Sequence, residues 1–293
     1  MTDQGRNGAA VRVRGLQKRY PDFTLGPIDL TVPSGSIVGL VGENGAGKTT
    51  TLKAILGAIR PTAGQVEVLG STSADRAARA RIGVVFEDSF FYESCTPIEV
   101  GSALANIQPG WDKAEYARLL RQFELPEKKL IKDMSRGMRM KLRLAAALAH
   151  RPDLLLLDEV TSGLDPVVRG EVLDILQAHV LDEGHSVLLS SHITSDLEKI
   201  ADEIAYIHKG RLLFQQGKDE LLESYGILRC PAARMDTLPD GILVHRRSGS
   251  FGSEALVMQP DTVRRLLPNA VVDRAGIDEI MQFYTERDKT RGA

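Results

Sequence analysis

The stretch that decides the fold is Ile37-Val38-Gly39-Leu40-Val41-Gly42-Glu43-Asn44-Gly45-Ala46-Gly47-Lys48-Thr49-Thr50-Thr51. Its first five residues are a short apolar run that reads as a buried strand. Gly42-x4-Gly47-Lys48-Thr49 then fills every constrained position of the phosphate-binding P-loop pattern, and Leu52-Lys53-Ala54-Ile55-Leu56 continues as a helix. Glycines at 42, 45 and 47 remove the Cβ atoms that would keep a backbone from wrapping closely around phosphates. The N–H groups of the loop, and of the helix starting near Lys48, point into the concavity with a partial positive charge. Gly42, Glu43, Asn44, Gly45, Ala46, Gly47, Lys48, Thr49 and Thr50 are thus the candidate nucleotide-binding set. Lys48 is expected to reach the β- and γ-phosphates, and Thr49 to offer its hydroxyl to magnesium. The pattern implies a bound nucleoside triphosphate and leaves its purpose open.

Outward from this loop the chain alternates strand and helix. Val11–Leu16 and Ile28–Val32 alternate apolar and polar residues, as half-exposed strands do, and residues 1–9 read as a tail. Tyr20 lies between those strands and by spacing alone is a surface or partly packed tyrosine. Gln65–Gly70 and Ile82–Phe86 are further strands, and Ala74–Arg81 is helical. From Thr96 to His150 the pattern is helical, with Pro97 suited to a first turn and Trp111 expected to pack. Leu154-Leu155-Leu156-Leu157-Asp158-Glu159 does not alternate, the mark of a strand buried on both faces of a parallel sheet. Val168–Val180 is a helix and Ser186–His192 a strand. Ser195 with Glu198 suggests a capping box, and Ile204–His208, Lys209-Gly210 and Arg211–Phe214 a hairpin. This is an α/β sheet built around a P-loop.

The texture changes near Tyr225-Gly226. Ile227-Leu228, Ile242–Val244 and Ala255–Met258 are short strand candidates, and Ile277–Glu286 a helix, so residues 225–293 read as a small α+β appendage. Arg229, His245, Arg246 and Arg247 are either a basic contact patch or a solvated face.

Composition narrows the class. With 293 residues, 43% of them hydrophobic, the chain has material for one large or two modest domains. A net charge of −2 gives no field drawing it to nucleic acid or an anionic membrane. Cys95 and Cys230 make no C-x-x-C and have no histidines at metal spacing, which fits reduced thiols, with a single disulfide as the alternative. Met1–Gly8 has no apolar h-region, and no run approaches ~18 apolar residues. The chain is expected not to span a membrane, so any membrane role needs a partner.

Three stretches resemble the ABC ATPases. Leu154–Glu159 resembles their Walker B strand with its following glutamate, and Thr161-Ser162-Gly163-Leu164-Asp165 their D-loop. Met134-Ser135-Arg136-Gly137-Met138 stands in the place of the LSGGQ signature, and His192 in that of the switch histidine. The resemblance covers about residues 11–224. It implies a P-loop NTPase of ABC type: a RecA-like α/β core, an antiparallel β subdomain and a helical subdomain at about 90–150. The ATP-binding domain would then span residues 10–224.

By resemblance, Asp158 holds magnesium through water and Glu159 is the general base that polarises the attacking water. His192 bonds the γ-phosphate, and Tyr20 stacks on adenine. Ser135 and Gly137 act on the nucleotide of a second subunit packed head to tail. Glu87 occupies the position of the Q-loop glutamine, where it can still ligate magnesium but adds negative charge. Arg136 replaces the first signature glycine, either clashing with a facing P-loop or contacting phosphate. Met138 replaces the signature glutamine, and Val160 stands where proline usually follows the Walker B pair.

The function so implied is ATP hydrolysis, with Mg2+, by a subunit that dimerises around ATP and powers a separate integral-membrane permease. Gly26–Leu30, Phe86–Tyr92 and the appendage resemble the ATPase subunits of bacterial exporters made as separate chains, cytoplasmic and peripheral on the inner face of the membrane. The second subunit is a copy or a paralogue. The rivals are a non-transport ABC ATPase acting on ribosomes or nucleic acid, and a regulatory module with little hydrolysis. Against the first rival stand the single P-loop, the lack of sustained heptads and the lack of a dominant basic patch.

Overall fold

Three unalternating runs become the middle of one sheet. Ile37–Val41, Leu154–Asp158 and Ser186–Ser191 are buried along their whole length in the computed structural model. Their neighbours run parallel on both sides, and with both faces buried there is no reason for side chains to alternate. The sheet has six strands in the order Arg211–Gly217, Glu203–His208, Ile37–Val41, Ser186–Ser191, Leu154–Asp158 and Ile82–Val85. Its first two strands form the expected hairpin, with positive φ at both turn residues, Lys209 (45°) and Gly210 (77°). The structure describes residues 8–87, 91–181, 184–249 and 252–291. Residues 1–7 of the expected tail, and Asp88, Ser89 and Phe90 of the 86–92 stretch, lie outside them.

Register places the functional edge. Val41 pairs with Ser191, and Asp158 with Ser190. The three central strands therefore end at one level, and whatever follows each of them emerges at the same carboxyl edge. In open α/β sheets that edge is where ligands bind.

A second sheet is antiparallel, in the order Thr24–Pro33, Ala9–Arg19, Ala63–Val68 and Ser71–Thr72. Val13 pairs with Leu30 on one side and Val66 on the other. The apolar faces of this sheet join Val38, Leu40, Leu52, Ile55, Leu154 and Leu156 in one core.

The helical section holds Pro97–Leu104, Lys113–Gln122 and Arg136–Leu148. Pro97 opens the first of these. Thr96 and Glu99 cap it reciprocally, with the Thr96 N–H donating to Glu99 Oε2 at 2.8 Å. Tyr116 donates its hydroxyl to the Pro97 carbonyl at 2.9 Å. Trp111 lies between helices and packs on Tyr116, with ring centroids 5.0 Å apart. The capping box proposed for Ser195 and Glu198 does not form. The helix is Thr194–Ile200, so Ser195 falls inside its first turn, and the Ile193 N–H is taken instead by Ser191 Oγ at 2.9 Å.

The chain divides into two compact units, one ending at Gln215 and one starting at Gln216. The Lys218–Ser224 helix, placed by the sequence at the end of the first domain, groups with the second. That unit has an antiparallel sheet, ordered Leu243–Gly249, Gly252–Met258, Tyr225–Cys230 and Val271–Arg274. Its core includes Leu228, Met235, Ile242, Val257 and Val263. The Val271–Arg274 strand and the Pro260–Leu266 helix carry no strong periodic signal and went unmarked in the sequence. Arg229, Arg246 and Arg247 each pair with carboxylates of the same unit. Arg229 pairs with Glu254 at 2.7 Å and with Asp273, Arg246 with Asp236 at 2.7 Å, and Arg247 with Glu254 at 3.2 Å and Glu286 at 3.5 Å. Cys95 and Cys230 are both free thiols. Among the described residues, no helix is long and apolar enough to cross a membrane.

Candidate nucleotide-binding site

The loop that leaves Val41 is fixed by the chain's own packing as much as by any ligand. A Cβ on Gly42 would overlap the Ile207 carbonyl oxygen. One on Gly47, where φ is 113°, would stand 2.6 Å from Leu25 Cδ1. The sequence signal for these glycines was phosphate approach, and the structure adds strand and side-chain contacts behind the loop. Glu43, Asn44 and Gly45 are exposed, while Ala46 is buried. Lys48 opens the Lys48–Ile55 helix, and its ammonium donates to the Gly42 carbonyl at 2.8 Å.

Other side chains meet this loop at the carboxyl edge. Thr49 Oγ1 donates to Asp158 Oδ2 at 2.6 Å. Lys48 Nζ stands 3.1 Å from Glu159 Oε1. The other oxygen of Glu159 lies 2.6 Å from His192 Nδ1. Lys48, Thr49, Asp158, Glu159 and His192, five positions picked from separate parts of the sequence, are therefore brought together. Glu159 holds φ at 54°, a left-handed conformation that costs a non-glycine residue roughly 1–2 kcal/mol. That turn swings its carboxylate back over the loop. It is held by the Glu159 N–H donating to the Ser190 carbonyl at 3.1 Å, and by Ser162 N–H donating to the Glu159 carbonyl at 3.1 Å.

Ser190 was missed in the sequence. Its hydroxyl donates to Asp158 Oδ1 and also lies 3.3 Å from the Glu159 N–H. The only signal for it was register: it precedes His192 by two residues and pairs with Asp158.

Other expected residues lie apart from this hydrogen-bonded group. Tyr20 is 42% exposed at the end of the Ala9–Arg19 strand, with the Lys18 ammonium 5.5 Å from its ring centroid. The aromatic nearest Gly47 is Phe23, whose Cζ would be 3.2 Å from a Cβ there. Ser135 caps the Arg136–Leu148 helix, accepting from the Met138 N–H at 3.2 Å and leaving its own proton free to donate. Gly137 is buried where that helix meets the next one, and a Cβ would stand 2.8 Å from Val168 Cγ1. Thr50 is half-buried in the first turn of its helix. Glu87 is exposed and lines a cavity of about 670 Å³ that Glu159, Ser162 and Arg136 also border.

The donor set bears on which metal ion the site can take. No group of three or more His, Cys, Asp or Glu residues gathers among the described residues. Thr49 and Asp158 supply one hydroxyl and one carboxylate in contact. That sparse oxygen pair fits Mg2+, which keeps waters and takes its remaining ligands from substrate phosphates.

An ABC transporter family model matches residues 25–162, and a shorter model described as an AAA domain, putative AbiEii toxin, Type IV TA system, matches 130–195. A bacitracin transport ATP-binding protein of Enterococcus faecalis is 35% identical over 216 residues, 72% of this chain and 70% of that one. A daunorubicin resistance ATP-binding protein of Streptomyces coeruleorubidus is 34% identical over 279 residues, 90% of this chain and 84% of that one. This chain belongs to the ATP-binding proteins of ABC transporters. Among solved structures, an ATP-binding subunit of an ABC transporter is 30% identical, with a TM-score of 0.65 over 72% of this chain and 91% of that one. As an ABC transport ATPase the chain binds nucleotide and hydrolyses ATP to power a separate permease. The match over 90% of the chain extends the likeness beyond the P-loop unit into the C-terminal one.

Proposed function

We propose that this ABC protein is the ATPase of an exporter, dimerising around ATP and docking peripherally on a membrane permease from the cytoplasmic side. The observation that carries the chemistry is the linked set Lys48, Glu159 and His192 beside Thr49 and Asp158. Lys48 binds the β- and γ-phosphates. Glu159 accepts a proton from the attacking water, with His192 holding its carboxylate in place. Thr49 and Asp158 would hold Mg2+, with Glu87 as a further oxygen donor; when bound, the ion offsets phosphate charge. The loop from Gly42 to Thr50 supplies N–H donors, and Tyr20 stacks on adenine. Ser135 and Gly137 complete the site of a second subunit, a copy or a paralogue, by presenting a helix N-terminus to its nucleotide. The exporter direction is supported by the relatives named for antibiotic transport and resistance.

The test is affinity purification of the tagged chain carrying Glu159→Gln from detergent-solubilised native membranes with ATP. Stoichiometric recovery of a multi-span protein supports the reading. Recovery in ribosome or nucleic-acid fractions with no membrane partner overturns the transport part and leaves the ATPase standing.

A further inference from the structure

A second charged contact joins the chain segments that carry Glu159 and His192. Asp196, in the Thr194–Ile200 helix, is buried, with its side chain 1% exposed. Among the described residues, no group donates a hydrogen bond to either of its carboxylate oxygens. The Arg169 guanidinium faces it, with Nε 4.0 Å from Asp196 Oδ2. That Nε is itself buried and makes no hydrogen bond among the described residues. A carboxylate taken out of water is costly unless a cation answers it. A buried ion pair contributes little net stability compared with apolar side chains of the same size, so stability alone does not account for this one.

Each partner is tied to one of the two segments that hold the Glu159 carboxylate. Arg169 lies in the first turn of the Pro166–Leu181 helix, its N–H donating to the Asp165 carbonyl at 2.9 Å. Its Nη2 reaches back and donates to the Leu164 carbonyl at 3.2 Å. The Leu164 N–H donates to the Thr161 carbonyl at 3.3 Å, and the Ser162 N–H to the Glu159 carbonyl at 3.1 Å. The guanidinium therefore grips the far end of the turn that starts at Glu159. Asp196 follows His192 by four residues, and its N–H donates to the Ile193 carbonyl at 3.2 Å. His192 meets Glu159 Oε2 with its ring Nδ1 at 2.6 Å and its backbone N–H at 3.4 Å. Glu159 with His192 joins the two segments once, and Arg169 with Asp196 joins them again.

We propose that Arg169 and Asp196 are a pair of positioning residues for ATP hydrolysis. Their ion pair fixes the His192 segment against the turn after Glu159, so that imidazole and carboxylate keep their contact. Neither residue touches the nucleotide; both act through Glu159 and His192. The inference rests on the reading of Glu159 as the base.

The experiment uses the full chain as wild type, Asp196→Asn, and the apolar double variant Asp196→Leu with Arg169→Met, each also in a Glu159→Gln background. Single-turnover hydrolysis at saturating ATP gives the rate, titration with a fluorescent ATP analogue gives the affinity, and melting temperatures report folding. The double variant strands no buried charge, so it is expected to melt within a few degrees of wild type. Its rate is expected to fall about 10–100-fold, with ATP affinity changed by less than about 3-fold, the pattern of a displaced reacting group. In the Glu159→Gln background the same changes are expected to cost less than about 2-fold, because nothing is left for the pair to position. Asp196→Asn is expected to show the same split should the double variant not fold. A double variant that hydrolyses ATP at the wild-type rate overturns the proposal. So does a rate loss equally large with and without Glu159→Gln, or one matched by an equal loss of affinity. Failure of both variants to fold assigns the pair to stability and overturns it too. Glu159→Gln alone hydrolysing at the wild-type rate would defeat the reading of the base, and the pairing with it.

Discussion

The Lys48 ammonium and the Glu159 carboxylate stand 3.1 Å apart with side chains only 6% and 8% exposed. Lys48 belongs to the loop after one strand and Glu159 to the turn after another, so the pair ties two crossover connections together across the carboxyl edge. His192 closes the arrangement on the other carboxylate oxygen at 2.6 Å. In the proposed mechanism a phosphate bound at Lys48 would compete with Glu159 for the same ammonium.

Glu159→Gln is expected to lower ATP hydrolysis by roughly 10²–10⁴ while leaving ATP binding in place, the range for loss of a positioned general base. Parallel ATPase and nucleotide-binding assays check this. Loss of binding equal to the loss of rate would show Glu159 to be a structural partner of Lys48 rather than a base.

Ser190→Ala removes the hydroxyl bonded to Asp158 and close to the Glu159 N–H. The expected result is roughly a 10–100-fold rise in the Mg2+ concentration needed for activity, the usual effect of losing a partner that orients a metal ligand. ATP binding without Mg2+ should be unchanged. A Mg2+ titration of the ATPase rate decides it.

Gly137→Ala drives a methyl to 2.8 Å from Val168 Cγ1, where two helices are in close contact. Overpacking of this kind costs about 1–3 kcal/mol, read as a lower urea midpoint. Adding Val168→Ala should restore most of the midpoint. If it does not, the glycine answers to the facing nucleotide and not to the helix packing.

His150 is half-buried with its Nε2 3.3 Å from the Ile82 carbonyl, and burial holds its pKa below the ordinary 6.5. The unfolded chain therefore binds this proton first as pH falls. The stability contribution is fully present above pH 6.5 and is lost as pH drops toward the folded-state pKa. His150→Gln should flatten the decline in urea midpoint between about pH 7 and pH 5 relative to wild type.

Local chemistry made much of the molecule legible. The P-loop follows from glycines and a lysine at fixed spacing, and the buried strands from apolar runs that need no alternation. Pro97 at a helix start has its own backbone logic. Boundaries were less legible: Ser195 and Glu198 have the spacing of a capping box, but the helix begins at Thr194, with Ile193 as its cap, so Ser195 cannot serve as the N-cap. Whether Arg229, Arg246 and Arg247 formed a contact patch or a solvated face was open because nothing in the sequence pairs them with Glu254, Asp236, Asp273 and Glu286.

Nucleotide binding, and the candidate side chains Lys48, Thr49, Asp158, Glu159 and His192, can be read from the chain alone, since each motif lies within a few consecutive residues. How those side chains meet is a property of the folded sheet. The pairing of Val41 with Ser191, residues more than 100 positions apart, and that of Asp158 with Ser190 bring these side chains to one edge, and they exist only once the strands are in register. The same holds for Ser190 behind Asp158 and for Arg169 facing Asp196. Hydrogen bonding between strands and ion pairing between helices act through space, and one sequence records neither distance.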